Sequence, residues 1–256
     1  MPPSFNRLLD HTIATRPHDH PVWAWNAKLD GRQLAGRADV RTPTLLQVAP
    51  LGQMARPTVT VAVKPNRGCA GHGVWLLKPY DGRYLSLFDG NHVTWDEVLA
   101  DCAAWEGVEH ANPHETVTGP WLVEEAVHPD RPPIDWKAYC IGGRVWLWRQ
   151  MVRRIVDGHL VKYGRDWNRN FQPVTATTRP RVILDPTLPP PHRPGKLTAA
   201  AERVARLVPG PFIRVDLYED DRGPLFGEIT PNPADGRIRF NRTWDRKMGR
   251  AWKAAQ

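Results

Sequence analysis

The chain has 256 residues, 41% hydrophobic and 24% charged, enough for a large core in a globular protein of two lobes. No apolar run approaches the roughly 18 residues of a membrane span, and MPPSFNRLLDHTIATRP at the start has no continuous apolar stretch of the kind a signal peptide needs. Cys69, Cys102 and Cys140 are odd in number and far apart, which suits a reducing, cytoplasmic setting better than a disulfide framework. The formal net charge of +8 suits anionic partners such as nucleotide phosphates, nucleic acid or an acidic polymer, and is equally a compositional habit of a chain rich in arginine.

Residues 4–16 read as a short helix, with Ser4 as N-cap and Pro17 past its end. The stretch Lys28 to Val40 has helical spacing at Leu29, Leu34 and Ala38, and Pro43 keeps Thr42 out of helix. VTVAV (59–63) is a strand that runs through KPNRGCAGHG into a second strand, VWLL at 74–77. A third strand is expected at 84–88, before Asp89-Gly90-Asn91. Thr94 and Glu97 form a capping box, with Val93 and Val98 as its hydrophobic staple, and Leu99, Cys102 and Ala103 continue the helix's apolar face. Trp121–Val123 is a strand ending in Glu124-Glu125. Trp136–Ile141 and Arg144–Trp148 flank Gly142-Gly143 as a hairpin, with Trp146 and Trp148 as sheet residues. Residues 172–194, rich in proline and without periodicity, read as an extended, exposed connection. Leu197–Val208 is an amphipathic helix. Two strands, Phe212–Tyr218 and Leu225–Ile229, enclose the turn EDDRG. Residues 242–253 form a basic helix with Trp244, Met248 and Trp252 on one side.

Two of these units carry the chemistry. In the first, Gly68, Gly71 and Gly73 let the backbone take positive φ and approach a ligand, and consecutive N–H groups there can form an anion-binding nest beside Lys64. A strand follows the loop, so it is neither a P-loop nor a dinucleotide fingerprint; by itself such a loop more often merely turns a hairpin. In the second unit, RVDLYEDDRGPLFGEITPNPADG, the hairpin puts Asp216 and Glu228 on one face with Thr230 and Asn232 nearby. Such oxygens are the ligands magnesium prefers. Arg214 lies two residues before Asp216, hence on the same strand face, where it suits a transferring phosphoryl group. Taken alone, this is equally a charged surface hairpin.

Other sites are weaker. Cys69 and His72 make a C-x-x-H with no second pair at zinc spacing. His18 and His20 belong to a turn, and no G-x-S-x-G elbow is present.

Read together and in order, these segments resemble the ATP-grasp superfamily from about Lys28 to Gly236. KLDGRQLAGRADVRTP (28–43), KPNRGCAGHGV, WLVEEAV and RVDLY…GEITPNPADG are similar to the entry segment, glycine loop, interlobe hinge and metal strand pair of D-alanine–D-alanine ligases. DWKAYC (135–140), RDW (165–167), RVDLY and GEIT resemble most the TupA-like members, named for teichuronopeptide synthesis.

The resemblance implies an α+β ATP-grasp fold, with ATP between two antiparallel sheets. A short N-terminal or vestigial pre-grasp region (1–58) would precede a small lobe (59–125) and a large lobe (126–256). It implies that Lys28 and Lys64 bind ATP phosphates under the loop of Arg67, Gly68, Gly71 and Gly73. Glu124 and the backbone to Val127 would hold adenine, and Glu125 or Asp135 the ribose. Asp216 and Glu228 would hold Mg2+, with Thr230 or Asn232 completing the site, and Arg214, Lys137 and Arg149 would face the γ-phosphate and acyl phosphate. Thr230 stands where the peptidoglycan ligases have asparagine, and residues 233–236 are longer than theirs.

The expected activity is an ATP-dependent carboxylate–amine ligase acting on an amino acid, a peptide or an acidic polymer, as monomer or homodimer and without membrane contact. The alternatives are an ATP-grasp kinase and a non-catalytic binder of polyanions or nucleic acid. Retention of Asp216, Glu228, Arg214 and both lysines argues against the binder.

Overall fold

A computed structural model of the chain describes residues 3–68, 71–109, 114, 116–157, 159–178 and 182–256, the Asp235 side chain excepted. Cys69, one half of the C-x-x-H pair, lies outside them.

The first half builds a six-stranded antiparallel sheet. Its strands are β1 (Leu45–Ala49), β2 (Val61–Arg67), β3 (Trp75–Tyr80), β4 (Arg83–Ser86), β5 (His92–Val93) and β6 (Thr118–Glu125), in the order β1-β6-β2-β3-β4-β5. Side chains alternate across β2, so Val61 and Val63 enter the core while Lys64 faces the other way. Val61, Val63, Leu77, Trp121 and Val123 pack with Trp95, Val98 and Cys102 of helix α3 (Trp95–Trp105). The expected capping box starts that helix: Thr94 Oγ1 accepts the Glu97 N–H at 3.2 Å, and Glu97 Oε2 accepts the Thr94 N–H at 2.7 Å. The sequence reading assigns nothing to β1, yet it is the edge strand beside β6, so the first lobe draws on residues before 59.

The second half forms a larger sheet from β7 (Asp135–Ile141), β8 (Arg144–Val156), β9 (His159–Asn168), β10 (Pro173–Val174), β11 (Ile183–Leu184), β12 (Phe212–Asp220) and β13 (Gly223–Thr230). Its order is β10-β9-β8-β7-β12-β13, with the short β11 parallel to β9. One face carries Trp136, Ala138, Trp148, Val215 and Leu217. It packs under helix α2 (Lys28–Arg37) and helix α4 (Pro194–Leu207). The other face is shared. Tyr139, Leu147 and Phe212 at one end lie under α1 (Phe5–Thr15) and α5 (Arg242–Ala254), whose Phe5, Leu9, Trp244, Met248 and Trp252 complete a second core. Fully burying one such large apolar side chain contributes about 1.5–3 kcal/mol. The other end of that face is left to the cleft.

The segment 172–194 departs from its expectation. Ala176, Thr177 and Leu188 are buried, and Thr177 bridges to Phe240. Its described residues run along the β9 edge of the large sheet, through β10 and β11. Cys102 is buried in the first lobe and Cys140 in the second, and burial pushes the Cys102 thiol up to about 12 and the Cys140 thiol higher still. Among the described residues, no helix is long and apolar enough to cross a membrane.

Candidate functional site

The two sheets face each other across a cavity of about 580 Å³, within the roughly 300–1,000 Å³ of small-molecule pockets. From the first lobe its wall takes Lys64, Gly68, Gly71 and His72, and from α2 it takes Lys28. From the large sheet it takes Asp135, Lys137, Arg214, Asp216, Glu228 and Thr230, followed by Asn232. The lysines of the front half and the carboxylates of the back half therefore share one space.

The floor follows from strand register. Glu228 pairs with Asp216, Asp216 with Lys137, Lys137 with Arg149 and Arg149 with Asp166, so five strands place one charged row on one face. Asp216 is 1% exposed and fully engaged: Arg214 donates to both oxygens at 2.6 and 2.7 Å, and Lys137 Nζ donates to Oδ2 at 2.6 Å. Burial pushes the Asp216 carboxyl up, but Arg214 and Lys137 outweigh it and hold it below the ordinary carboxylate range. Burial likewise lowers Lys137 and Arg214, and their carboxylate neighbours more than reverse this. Lys137 also reaches Asp135 Oδ2 at 2.7 Å. Gly227 makes the β12–β13 bulge possible, since a Cβ there would lie 2.9 Å from the Tyr218 ring and 3.1 Å from the Asp216 carbonyl.

On the roof, Lys64 Nζ lies 2.5 Å from Glu124 Oε2, and Arg32 of α2 holds Glu124 Oε1 at 2.7 Å. Lys28 opens α2, whose first turn is capped from β2: Asn66 Oδ1 accepts the Leu29 N–H at 3.0 Å. Gly68, Gly71 and Gly73 all have positive φ, at 148°, 83° and 64°. At Gly73 a Cβ would meet the Trp121 ring at 2.6 Å, so that glycine seats the loop on the first lobe's core.

Several expected residues lie elsewhere. Arg149 does not face the cavity: it is 7% exposed, gripped by Asp166 at 2.8–2.9 Å and donating to Thr177 Oγ1 at 2.6 Å. Its charge is spent on holding segment 172–194 to the sheet. Glu124, 2% exposed, has both oxygens on Lys64 and Arg32. Glu125 and Val127 line a separate crevice of about 630 Å³ with Thr60, Lys78 and Leu225. Of the two ribose candidates, only Asp135 is in the cavity. Arg67 donates to the Trp23 carbonyl at 3.3 Å. Thr230 Oγ1 accepts from Arg214 at 2.7 Å, and Asn232 Oδ1 from Arg16 at 2.8 Å.

The cavity also takes residues that the sequence did not single out: Asn26, Met151, Arg153, Lys162, Tyr218 and Arg237. Tyr218 was readable, two residues past Asp216 on the same strand face. Arg153 and Lys162 pair across β8 and β9, which became visible only once β9 was a strand.

The wall suits a polyanionic nucleotide. Seven lysines and arginines face three carboxylates. Asp135 Oδ1 is buried without a hydrogen-bond partner among the described residues. Among the described residues no three acidic, histidine or cysteine side chains gather as a metal site. The protein supplies the paired carboxylates Asp216 and Glu228, which fits magnesium, an ion that takes one or two carboxylates and completes its shell with water and phosphate.

The family model for TupA-like ATPgrasp matches residues 112–253, more than half of the chain. Among solved structures, the chain is similar to D-alanine–D-alanine ligase from Bacillus anthracis complexed with ATP, at 11% identity and a TM-score of 0.47 over 81% of this chain and 55% of that one. It is similar to the D-alanine–D-alanine ligase from Helicobacter pylori, at 11% identity and 0.49 over 91% and 59%. It is also similar to the ATP-grasp ligase PsnB complexed with minimal precursor, at 14% identity and 0.49 over 93% and 62%. The chain thus spans between 55% and 62% of the length of these three proteins. No curated protein matches it by sequence.

Proposed function

The chain belongs to the TupA-like ATP-grasp family, and on that premise we propose that it is an ATP-dependent carboxylate–amine ligase working in the cytoplasm. One observation carries the reading: Lys28 and Lys64 line the same cavity as Asp216 and Glu228.

Lys28 and Lys64 hold the triphosphate from the roof, under the loop of Gly68 and Gly71. Asp135, which lines the cavity where β7 begins, takes the ribose at the hinge end. Asp216 and Glu228 would hold magnesium, which would neutralise phosphate charge. Arg214 and Lys137, which line the cavity beside Asp216, supply fixed positive charge for the phosphoryl group. A substrate carboxylate oxygen attacks the γ-phosphorus and ADP leaves. The amine nitrogen then attacks the acyl carbon, phosphate leaves and the amine gives up a proton. The protein's part is positioning and fixed charge, in a site that keeps water from the acyl phosphate.

The test is an ADP-release screen over amino acids, peptides and sugar acids, with and without amines, and E228A as control. A ligase releases ADP only with both acid and amine present, and E228A is silent. ADP release with a stable phosphorylated product and no need for amine would make the protein a kinase. Nucleotide turnover undiminished in E228A would remove the acidic pair from the chemistry.

A further inference from the structure

Asn232 lies at the end of the cavity away from the hinge, beyond Thr230 on the chain that leaves β13, and it is 6% exposed. A carboxamide can turn either its oxygen or its NH2 group to a ligand. Here the choice is made from outside the wall. Arg16 Nη1 donates to Asn232 Oδ1 at 2.8 Å, and a guanidinium has donors only, so the amide oxygen is the atom it holds. That leaves the NH2 group for the cavity.

Arg16 is itself fixed. Its guanidinium lies over the Trp23 ring at 5.4 Å. Trp23 donates from Nε1 to the Pro17 carbonyl at 3.1 Å and stacks on His114 at 4.6 Å. α1, whose C-cap is Arg16, buttresses the turn after Asn232: a Cβ at Gly236 would lie 2.6 Å from Ile13 Cδ1. Among the described residues no carboxylate pairs with Arg16. Half-buried, its guanidinium is depressed by desolvation, with no carboxylate to offset it. Asn232 is thus its polar partner, and the arrangement serves the orientation of one amide.

We propose that Asn232 is a hydrogen-bond donor to an anionic oxygen at the acceptor end of the cleft, held in that orientation by Arg16 as a positioning residue, and that it is not a metal ligand. The anionic oxygen belongs to the phosphoryl group or to the substrate carboxylate. The proposal rests on the nucleotide reading of the cleft. It assigns a role to a residue before the family-matched region, because residue 16 precedes residue 112.

The experiment uses the whole chain loaded with Mn·ADP. Electron paramagnetic resonance follows Mn2+, and tryptophan fluorescence follows added inorganic phosphate or acetate. N232A and N232D are expected to weaken at least one anion by roughly tenfold or more and to leave Mn2+ affinity unchanged. Weakening of phosphate alone assigns the phosphoryl group, and weakening of acetate alone assigns the carboxylate. N232D keeps shape and its Arg16 contact, so it reads the donor even where R16M fails to fold. R16M should weaken the same anion and R16K should recover part of it, which a merely structural Arg16 would not produce. Loss of Mn2+ in N232A with its retention in N232D, both anions unaffected, makes Asn232 a metal ligand and overturns the proposal. A wild-type protein that binds no Mn·ADP overturns the nucleotide reading, and this proposal with it.

Discussion

Arg149 illustrates how a side chain of the right type can serve a different purpose. It shares a sheet row with Lys137 and Asp216, and the sequence supports that placement through the hairpin at Gly142-Gly143. Its partner Asp166 sits on β9, and its third contact, Thr177, comes from the proline-rich segment. Neither can be deduced from local pattern, because both depend on long-range pairing. Removing one partner of a buried ion pair leaves an uncompensated charge, so R149M should cost about 3 kcal/mol of stability, read by urea unfolding. Affinity of the folded protein for ATP should stay unchanged, measured by calorimetry; a large loss would return Arg149 to the phosphate site. Asp216, Glu228 and Lys64, by contrast, are singled out by chemical type, strand alternation and the family resemblance together, and they do line one cavity.

Elements whose ends carry their own chemistry were read well. Ser4 accepts the Arg7 N–H at the start of α1, and Thr94 with Glu97 opens α3, both as the sequence indicates. T94A should lower stability by about 1 kcal/mol, measured by thermal unfolding; no change would mean that packing of Trp95 and Val98 alone fixes α3. β1 and β9 were not legible. β1 exposes Leu46 and Val48, so its pattern lacks the polar face of an ordinary edge strand. β9 reads HLVKYGRDWN, where charged residues are interspersed with aromatic ones, and Leu160 stays exposed with its β8 neighbour Ile155. α2 starts at Lys28 as the helical spacing indicates, but its cap was not legible, since it comes from Asn66 on another strand.

Across the whole molecule the lobes are tied away from the cleft. Arg41, in the chain between α2 and β1, grips Asp220 at the end of β12 with two nitrogens, at 2.6 and 3.1 Å. Desolvation raises the Asp220 carboxyl, but Arg41 and the Arg222 and Gly223 N–H groups hold it down at about 2, from an ordinary 3.8. A carboxyl depressed in the fold stabilises it fully above its unfolded value and loses that contribution as pH falls toward the folded one. Wild type should therefore lose stability between about pH 4 and pH 2 through this group, and D220N should flatten that part of the profile. Chemical denaturation at a series of pH values checks it, and identical slopes in both proteins would refute the tie.

The sulfur atoms give the molecule reporters of its own. Cys102 and Cys140 sit in different lobes, each buried and each held as a protonated thiol well above neutral pH. Alkylating reagents attack the thiolate, so neither should be modified while its surroundings stay closed. Peptide mapping of timed alkylation should then show two protection times. Equal times would mean that the halves come apart in one step. Unequal times would rank them, and early labelling at Cys102 with Cys140 still protected would show the glycine-loop half breathing on its own, ahead of the half that carries the acids.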